Sequence, residues 1–105
     1  MSSSWISKTT RQAIYDRDGR SCVYCGASES AETVLSLDHI LPRSERPELL
    51  REPTNLITCC CHCNSTKQTM TVPQFQRYLA AHYEIETVKN LSAKVRRMAA
   101  KPLSK

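Results

Sequence analysis

The sequence predicts an α+β fold: a small core of two strands and a helix, stapled by a metal bound to four cysteines and flanked by helices at both ends. Three observations lead to this prediction. The chain has 105 residues, enough for one domain, and carries six cysteines in two groups. Short apolar runs in its middle are typical of strands, whereas apolar residues near both ends recur at helical spacing. We expect residues 1–105 to form a single domain, with its core at about 20–70 and a helical extension at about 71–101.

The first half of the chain predicts one helix and two strands. The stretch "SKTTRQAIYDRD", residues 7–18, opens with residues that favour a helix N-terminus and is followed by Gly19, which favours a helix end. "ETVLSLDHILP", residues 32–42, is rich in leucine and β-branched residues and ends at a proline, so it predicts a strand. "NLIT", residues 55–58, predicts a second strand, and the charged stretch between the two predicts a loop with at most one helical turn.

Helical signals follow the second strand. "CNSTKQ", residues 63–68, contains Asn and Ser, which suit a helix entry. Thr71 and Gln74 have the spacing of a capping box, so another helix should start near Thr71. Apolar residues at helical spacing from Val88 to Met98 predict a further helix or a bent continuation of the previous one. We expect the last six residues, "AKPLSK", to fray.

Charge and composition restrict the function classes. Fifteen Lys and Arg against ten Asp and Glu give a formal net charge of +5, which favours a polyanionic partner such as nucleic acid. The first residues lack the apolar run of a signal peptide, and no stretch reaches the length of a membrane span. We therefore expect a cytoplasmic protein without membrane contact. In that reducing compartment, six cysteines favour metal or redox chemistry over disulfides.

Two C-x-x-C hooks predict a metal site. Cys22 and Cys25 form the first hook, and Cys60 and Cys63 form the second. Four thiolates suit a tetrahedral structural zinc, which has no open coordination position. Several registers are available within "CCCHC", residues 59–63, but only Cys60 with Cys63 repeats the spacing of the first hook.

The other thiols and the histidine of this run have different expected roles. Cys59 and Cys61 are expected to be buried small side chains or free thiols. His62 lies inside the turn, where we expect it to face solvent or a phosphate rather than to bind the metal. A redox pair remains an alternative, although nothing in the chain alternates strand and helix as a thioredoxin-like framework does.

Polar residues between the hooks are not explained by a structural zinc. The order is C-x-x-C, then Asp-His, then Asn-Leu, then C-x-x-C-Asn-x-x-Lys, in the pieces "CVYC", "LDHILPRS", "NLIT" and "CHCNSTK". In this order the sequence resembles the zinc-bearing HNH endonucleases of the ββα-metal type. The resemblance spans Cys22 to Lys67 and implies a metal-dependent enzyme that hydrolyses DNA phosphodiester bonds. The loop after Asp-His, which has no glycine, and the three consecutive cysteines depart from the family pattern.

The resemblance also implies the roles of single residues. His39 corresponds to the general base, because a neutral imidazole can take a proton from water near neutral pH. Asp38 and Asn64 correspond to ligands of a catalytic divalent ion, magnesium or manganese, which prefers hard oxygen ligands. Asn55 corresponds to a residue that orients His39 through its amide. Because neighbours in a strand point to opposite faces, we expect the chain to bend for Asp38 and His39 to reach one phosphate.

Basic residues supply candidate nucleic-acid contacts. Arg43 and Arg46 in the loop, and Lys67 one helical turn after Asn64, are candidate phosphate contacts, with solvated side chains as the alternative. Further basic residues lie on the two flanking helical segments: Lys8, Arg11, Arg17, Lys94, Arg96, Arg97, Lys101 and Lys105. No base-reading motif accompanies them. The expected partner is DNA, double-stranded by preference.

Three functions stay open on the sequence alone. The first is the endonuclease, which as a monomer should cut one strand at a time. The second is a non-catalytic, zinc-stabilised module that binds nucleic acid or a protein, although such a module does not need His39, Asp38 and Asn64. The third is a thiol redox protein, which predicts reactive thiols and no bound zinc. Asn55 and Asn64 also have simpler alternatives, because Asn often caps a turn or a helix.

Overall fold

The computed structural model describes residues 5–82 and 90–103 of the chain. These ranges contain four helices and a two-stranded antiparallel sheet, so the predicted α+β class is confirmed. The elements in chain order are α1 (Lys8–Arg17), β1 (Leu35–His39), β2 (Leu56–Cys60), α2 (Cys61–Lys67), α3 (Val72–His82) and α4 (Leu91–Ala99). Two 3₁₀ turns, Pro47–Leu49 and Pro53–Asn55, lie in the loop between the strands. Of the helices in the described ranges, none has the length and apolar character needed to cross a membrane.

Local capping places the helix ends close to where the sequence predicts them. The Ser7 hydroxyl accepts a hydrogen bond from the backbone N–H of Thr10 at 3.1 Å and caps α1. Gly19 follows the helix with a φ of +75°, a left-handed conformation that glycine adopts at little cost. The predicted capping box at the start of α3 is confirmed, since the side chains of Thr71 and Gln74 each accept a hydrogen bond from the other's backbone N–H.

Pairing between the strands decides where they end. β1 and β2 pair from Leu35 opposite Cys60 to His39 opposite Leu56. β1 is therefore shorter than the predicted stretch 32–42, and β2 continues two residues beyond "NLIT". Helix α2 follows β2 directly and begins two residues earlier than expected.

The hairpin of β1 and β2 lies between two apolar clusters. Alternation along the strands turns one face of the hairpin towards α1 and the other towards α2 and α4, with α3 packed on α4. The cluster on the α1 side contains residues of that helix, of the segment before it and of the strands: Ile6, Ile14, Tyr15, Leu35, Leu37 and Leu56. The cluster on the other side includes Val23, Tyr24, Ile57, Cys59, Phe75, Leu79, Leu91 and Val95.

The apolar stripe predicted near the C-terminal end is confirmed where it is described. Leu91 and Val95 are buried on α4, and Met98 packs against the same cluster. Val88, with which the predicted stripe begins, lies outside the described residues.

A buried guanidinium joins helices from both ends of the chain to the hairpin. Arg17 forms a two-point ion pair with Asp18, with Nε–Oδ1 and Nη2–Oδ2 distances of 2.7 and 3.0 Å. It also donates to the backbone carbonyls of Pro53, Leu56 and Ala99 at 3.0, 2.7 and 3.1 Å. Its side chain is 1% exposed. The expectation that Arg17 contacts nucleic acid is therefore wrong, because its donors are directed into the protein interior.

We expect Arg17→Ala to lower the free energy of unfolding by about 3–5 kcal/mol, because it leaves the Asp18 carboxylate buried without its cation. Asp18 also accepts a hydrogen bond from the N–H of Thr58 in β2 at 2.9 Å, so the loss extends to the hairpin. Arg20→Ala is the matched control, since the ion pairs of Arg20 lie at the surface and its removal should change stability little. Urea unfolding followed by circular dichroism measures both variants, and equal losses would contradict the structural role of Arg17.

Candidate metal centre and adjoining cleft

The two cysteine hooks meet in a four-sulfur cluster. The sulfur atoms of Cys22, Cys25, Cys60 and Cys63 all lie within 4.8 Å of one another. The Cys25 and Cys60 sulfurs are 3.8 Å apart, close to the ligand spacing of a tetrahedral zinc with bonds of about 2.3 Å. In each hook the N–H of the second cysteine donates to the sulfur of the first at 3.4 Å. The donor set and its geometry therefore fit a structural zinc.

The ionisation of the thiols also favours a bound cation. A hydrogen bond from Cys63 lowers the pKa of the Cys22 thiol to about 5. Burial raises the pKa of the Cys25 thiol to about 11. The hydrogen bond to Cys22, together with burial, raises the pKa of the Cys63 thiol above its ordinary range. Sulfurs this close oppose one another's ionisation, and a cation among them removes that obstacle.

The other residues of the cysteine run lie outside the cluster. Cys59 is fully buried in the apolar cluster that contains α4, and burial raises the pKa of its thiol. Cys61 is an exposed thiol, and His62 is exposed to solvent. The cluster thus uses the register of the second hook that repeats the spacing of the first.

Three of the candidate catalytic residues, Asp38, His39 and Asn64, line one cleft of about 350 Å³, and the fourth, Asn55, is not part of its lining. Asp38 and His39 are neighbours at the end of β1, and strand alternation places their side chains on opposite faces. Even so, the lining of the cleft takes Ser36 and Asp38 from one face of the strand and Leu37 and His39 from the other. The lining also includes Trp5, Arg11, Pro42, Arg43, Ser44, Asn64, Gln68 and Thr69.

The imidazole of His39 is held in one tautomer. Its Nε2 lies 3.0 Å from the backbone carbonyl oxygen of Leu50. Because a carbonyl only accepts, Nε2 carries a proton, and in the neutral imidazole Nδ1 therefore keeps its lone pair. The indole of Trp5 lies beside the ring, with 5.2 Å between the ring centroids. A half-buried imidazole with its Nδ1 lone pair available can accept a proton from a water molecule in the cleft.

Asn55 fixes the backbone that follows His39. Its side-chain oxygen accepts a hydrogen bond from the N–H of Leu41 at 2.9 Å, and its amide nitrogen donates to the Leu41 carbonyl at 3.2 Å. Its own backbone carbonyl accepts from the N–H of Ile40 at 2.9 Å. The simpler alternative, in which Asn55 caps its own turn, is wrong, because its side chain bonds across the loop. Any orienting effect on His39 acts through these backbone contacts rather than through a direct bond to the ring.

A buried ion pair holds Asp38. Its Oδ2 accepts a hydrogen bond from the Tyr24 hydroxyl at 2.6 Å and lies 2.9 Å from Nζ of Lys67. The same Nζ is 3.4 Å from the backbone carbonyl of His39. Burial raises the pKa of the Asp38 carboxyl, and the ammonium and hydroxyl oppose part of that rise. Both roles expected for Lys67, phosphate contact and solvated side chain, are wrong, because only 1% of its side chain is exposed.

Asp38 and Asn64 each keep one oxygen for a ligand. Within the described residues, both contacts of the Asp38 carboxylate use Oδ2. The amide nitrogen of Asn64 donates to the Ser36 hydroxyl at 2.9 Å, which leaves the amide oxygen as its remaining acceptor. Such oxygens suit magnesium or manganese. Asn64 is not a helix cap, since Cys60 holds that position and its sulfur accepts the capping hydrogen bond.

Several residues that line this cleft, or that contact its lining residues, are not part of any sequence motif. Trp5 and Arg11 precede the first hook, and only the packing of α1 brings them to the cleft. Tyr24 stands between two cysteines, where any residue type would satisfy C-x-x-C. Leu50 contributes only a backbone carbonyl. Of the loop arginines, Arg43 is exposed at the cleft, as a phosphate contact requires.

The comparisons with known proteins concern the part of the chain that contains both hooks. Residues 22–69 match the family model described as HNH endonuclease. No curated protein matches the chain. The matched segment includes the hairpin and α2, whereas α1, α3 and α4 lie outside it. Through residues 22–69, a little under half of its length, this chain is similar to the HNH endonucleases.

Proposed function

We propose that the chain is a metal-dependent endonuclease that hydrolyses phosphodiester bonds of double-stranded DNA. One observation carries the proposal. The cleft is lined by the imidazole of His39 and by Asp38 and Asn64, each of which has one side-chain oxygen that accepts no hydrogen bond from the described residues. The match of residues 22–69 to the HNH endonuclease model supports a nucleic-acid substrate, and the net charge of +5 favours the same partner.

In the proposed reaction, His39 removes a proton from water at Nδ1, and the water oxygen attacks phosphorus as the bond to the leaving oxygen breaks. The Leu50 carbonyl holds the protonated Nε2 and stabilises the imidazolium that forms. A divalent ion bound by Asp38 and Asn64 would supply positive charge for the phosphate and the leaving oxygen. The Lys67 ammonium favours the ionised form of Asp38, and Arg43 lies where it can contact a phosphate.

We also propose zinc as the metal of the four-cysteine cluster, with a structural role. Four sulfur ligands fill a tetrahedral site, so this metal would offer no position for water. Its binding would join the loop that carries Cys22 and Cys25 to the start of α2. A thiol redox function has no support, because all four hook sulfurs converge in one cluster.

The second candidate function is a zinc-stabilised module that binds nucleic acid without cutting it. The Asp38–Lys67 ion pair favours this candidate, since an ammonium already neutralises one of the two proposed ligands. A module that only binds nucleic acid, however, needs neither the orientation of the His39 ring nor the side-chain oxygen of Asn64.

Purified protein with magnesium or manganese should convert supercoiled plasmid to the nicked form, because one active site cuts one strand. His39→Ala should lower the rate by about 10²–10⁴-fold, the usual contribution of a general base. His62→Ala is the matched control, since His62 is exposed and lies outside the cleft. Plasmid binding without cleavage, under any divalent ion, would support the binding module instead.

Asn64→Ala should raise the metal concentration needed for half-maximal cleavage by about tenfold or more. Asn64 tests the metal site better than Asp38, because Asp38→Ala would leave the Lys67 ammonium buried without a partner and destabilise the fold. A titration with magnesium gives the measurement, and thermal unfolding verifies that the variant is folded. An unchanged metal dependence would exclude Asn64 as a ligand.

The protein as isolated should contain one zinc per chain by elemental analysis. Cys63→Ser should lose the metal and unfold at a lower temperature, because a structural zinc contributes directly to folding. Cys61→Ser is the matched control two residues away, with an exposed thiol outside the cluster. Loss of zinc in Cys61→Ser with retention in Cys63→Ser would show a different register of the second hook.

A further inference from the structure

Two residues from outside the family segment border the candidate active site. Trp5 precedes α1 and Arg11 lies within α1, yet both line the cleft that contains Asp38, His39 and Asn64. The substrate cleft is therefore built partly by the N-terminal segment.

The guanidinium of Arg11 is held in place by aromatic side chains. Its Nη1 donates a hydrogen bond to the Tyr15 hydroxyl at 3.1 Å, and its Cζ lies 5.6 Å from the centroid of the Trp5 ring, a cation–π contact. The Tyr15 hydroxyl in turn donates to the backbone carbonyl of Leu35 at 3.2 Å. The backbone carbonyl of Trp5 accepts a hydrogen bond from Nε of Arg51 at 2.6 Å. These contacts fix Arg11 from both the strand and the loop.

Nothing in the described part of the chain neutralises the positive charge of Arg11. Within residues 5–82 and 90–103, no carboxylate forms an ion pair with Arg11. Three other arginines are each paired with a carboxylate: Arg17, Arg20 and Arg46. The one carboxylate in the cleft lining, Asp38, is engaged by Lys67. A guanidinium held in one orientation can donate its remaining N–H groups to a phosphate, which has several acceptor oxygens.

We propose that Arg11 binds a backbone phosphate of the nucleic-acid substrate, and that Trp5 is a positioning residue that holds the guanidinium beside His39. This inference rests on the proposed function, because it places that phosphate next to the bond that is cut. Since Tyr15 and Trp5 already hold the guanidinium, little conformational entropy is lost when the phosphate binds.

The test is binding of a short, fluorescently labelled DNA duplex, measured by anisotropy at several salt concentrations without added divalent ion. Arg11→Ala should weaken binding on the order of tenfold at low salt, as expected for one charge-assisted hydrogen bond. It should also reduce the slope of log affinity against log salt by about 0.9, the value of one phosphate contact in B-form DNA. Arg11→Gln keeps an amide donor and part of the apolar stem, and it should lose the same slope.

Lys8→Ala is the matched control. Lys8 is exposed on the same helix and lies outside the cleft lining, so the variant removes one positive charge without altering the cleft. Its slope should stay at the wild-type value. Equal changes in Lys8→Ala and Arg11→Ala would assign the effect to net charge and overturn the proposal. An unchanged slope in a folded Arg11→Ala or Arg11→Gln would overturn it as well.

Trp5 provides an independent readout, because it is the single tryptophan of the chain. Its emission should change as duplex fills the cleft of the wild type and of Lys8→Ala, and Arg11→Ala should need about tenfold more duplex. Trp5→Phe keeps an aromatic face for the guanidinium and should bind more tightly than Trp5→Ala. Unchanged emission at saturating duplex would place the nucleic acid elsewhere and overturn the proposal.

The two proposals fail separately, because binding is measured without cleavage. A reduced salt slope without plasmid nicking would support the role of Arg11 and reject the nuclease. Plasmid nicking together with an unchanged salt slope in Arg11→Ala would support the nuclease and reject the role of Arg11.

Discussion

The buried guanidinium of Arg17 is the interaction on which the arrangement of helices around the hairpin depends. It bonds at once to Asp18 beside it and to backbone carbonyls at Pro53, Leu56 and Ala99, which belong to the loop, the second strand and the last helix. A chain with a two-stranded sheet, one Phe and one Trp has little apolar area with which to orient separate helices. Directional hydrogen bonds and an ion pair, shielded from water, orient the helices instead. Because α1 is held in this way, the side chains it carries reach the cleft in a defined position.

The four-sulfur cluster has a comparable effect on α2. The helix begins directly after Cys60, whose sulfur belongs to the cluster and also accepts the hydrogen bond that caps the helix. Asn64 and Lys67 lie one turn apart on this helix and share a face. One reaches Ser36 and the other reaches Asp38, both in β1. The four-sulfur cluster therefore sets the direction in which α2 leaves β2, and with it the positions of Asn64 and Lys67 against β1.

Features that depend on local spacing were predicted from the sequence. The burial of side chains that bond to distant parts of the chain was not. The capping box of Thr71 and Gln74 and the spacing within each C-x-x-C hook depend on residues a few positions apart, and both patterns are present in the structure. Lys67 has the local pattern of a solvated helix residue, and its burial follows from its ion pair with the carboxylate of Asp38, which lies far earlier in the chain. Arg17 likewise looks like a surface residue next to Asp18, because its carbonyl partners come from segments that local patterns do not connect. The same limit applies to Trp5, whose place beside the cleft depends on tertiary packing.

The ion pair between Asp38 and Lys67 bears on whether the cleft can hold a divalent ion. A buried ion pair adds little net stability over apolar side chains of similar size, so stability alone does not account for two charges in this core. Among the described residues, Lys67 and Tyr24 both contact Oδ2 of the carboxylate, and no contact uses Oδ1. With two oxygens, one carboxylate can serve an ammonium and a metal ion at the same time. The ammonium opposes the rise in the pKa of Asp38 that burial causes, which an apolar residue could not do. It therefore favours the charged form of the carboxylate, the form that a metal ligand requires.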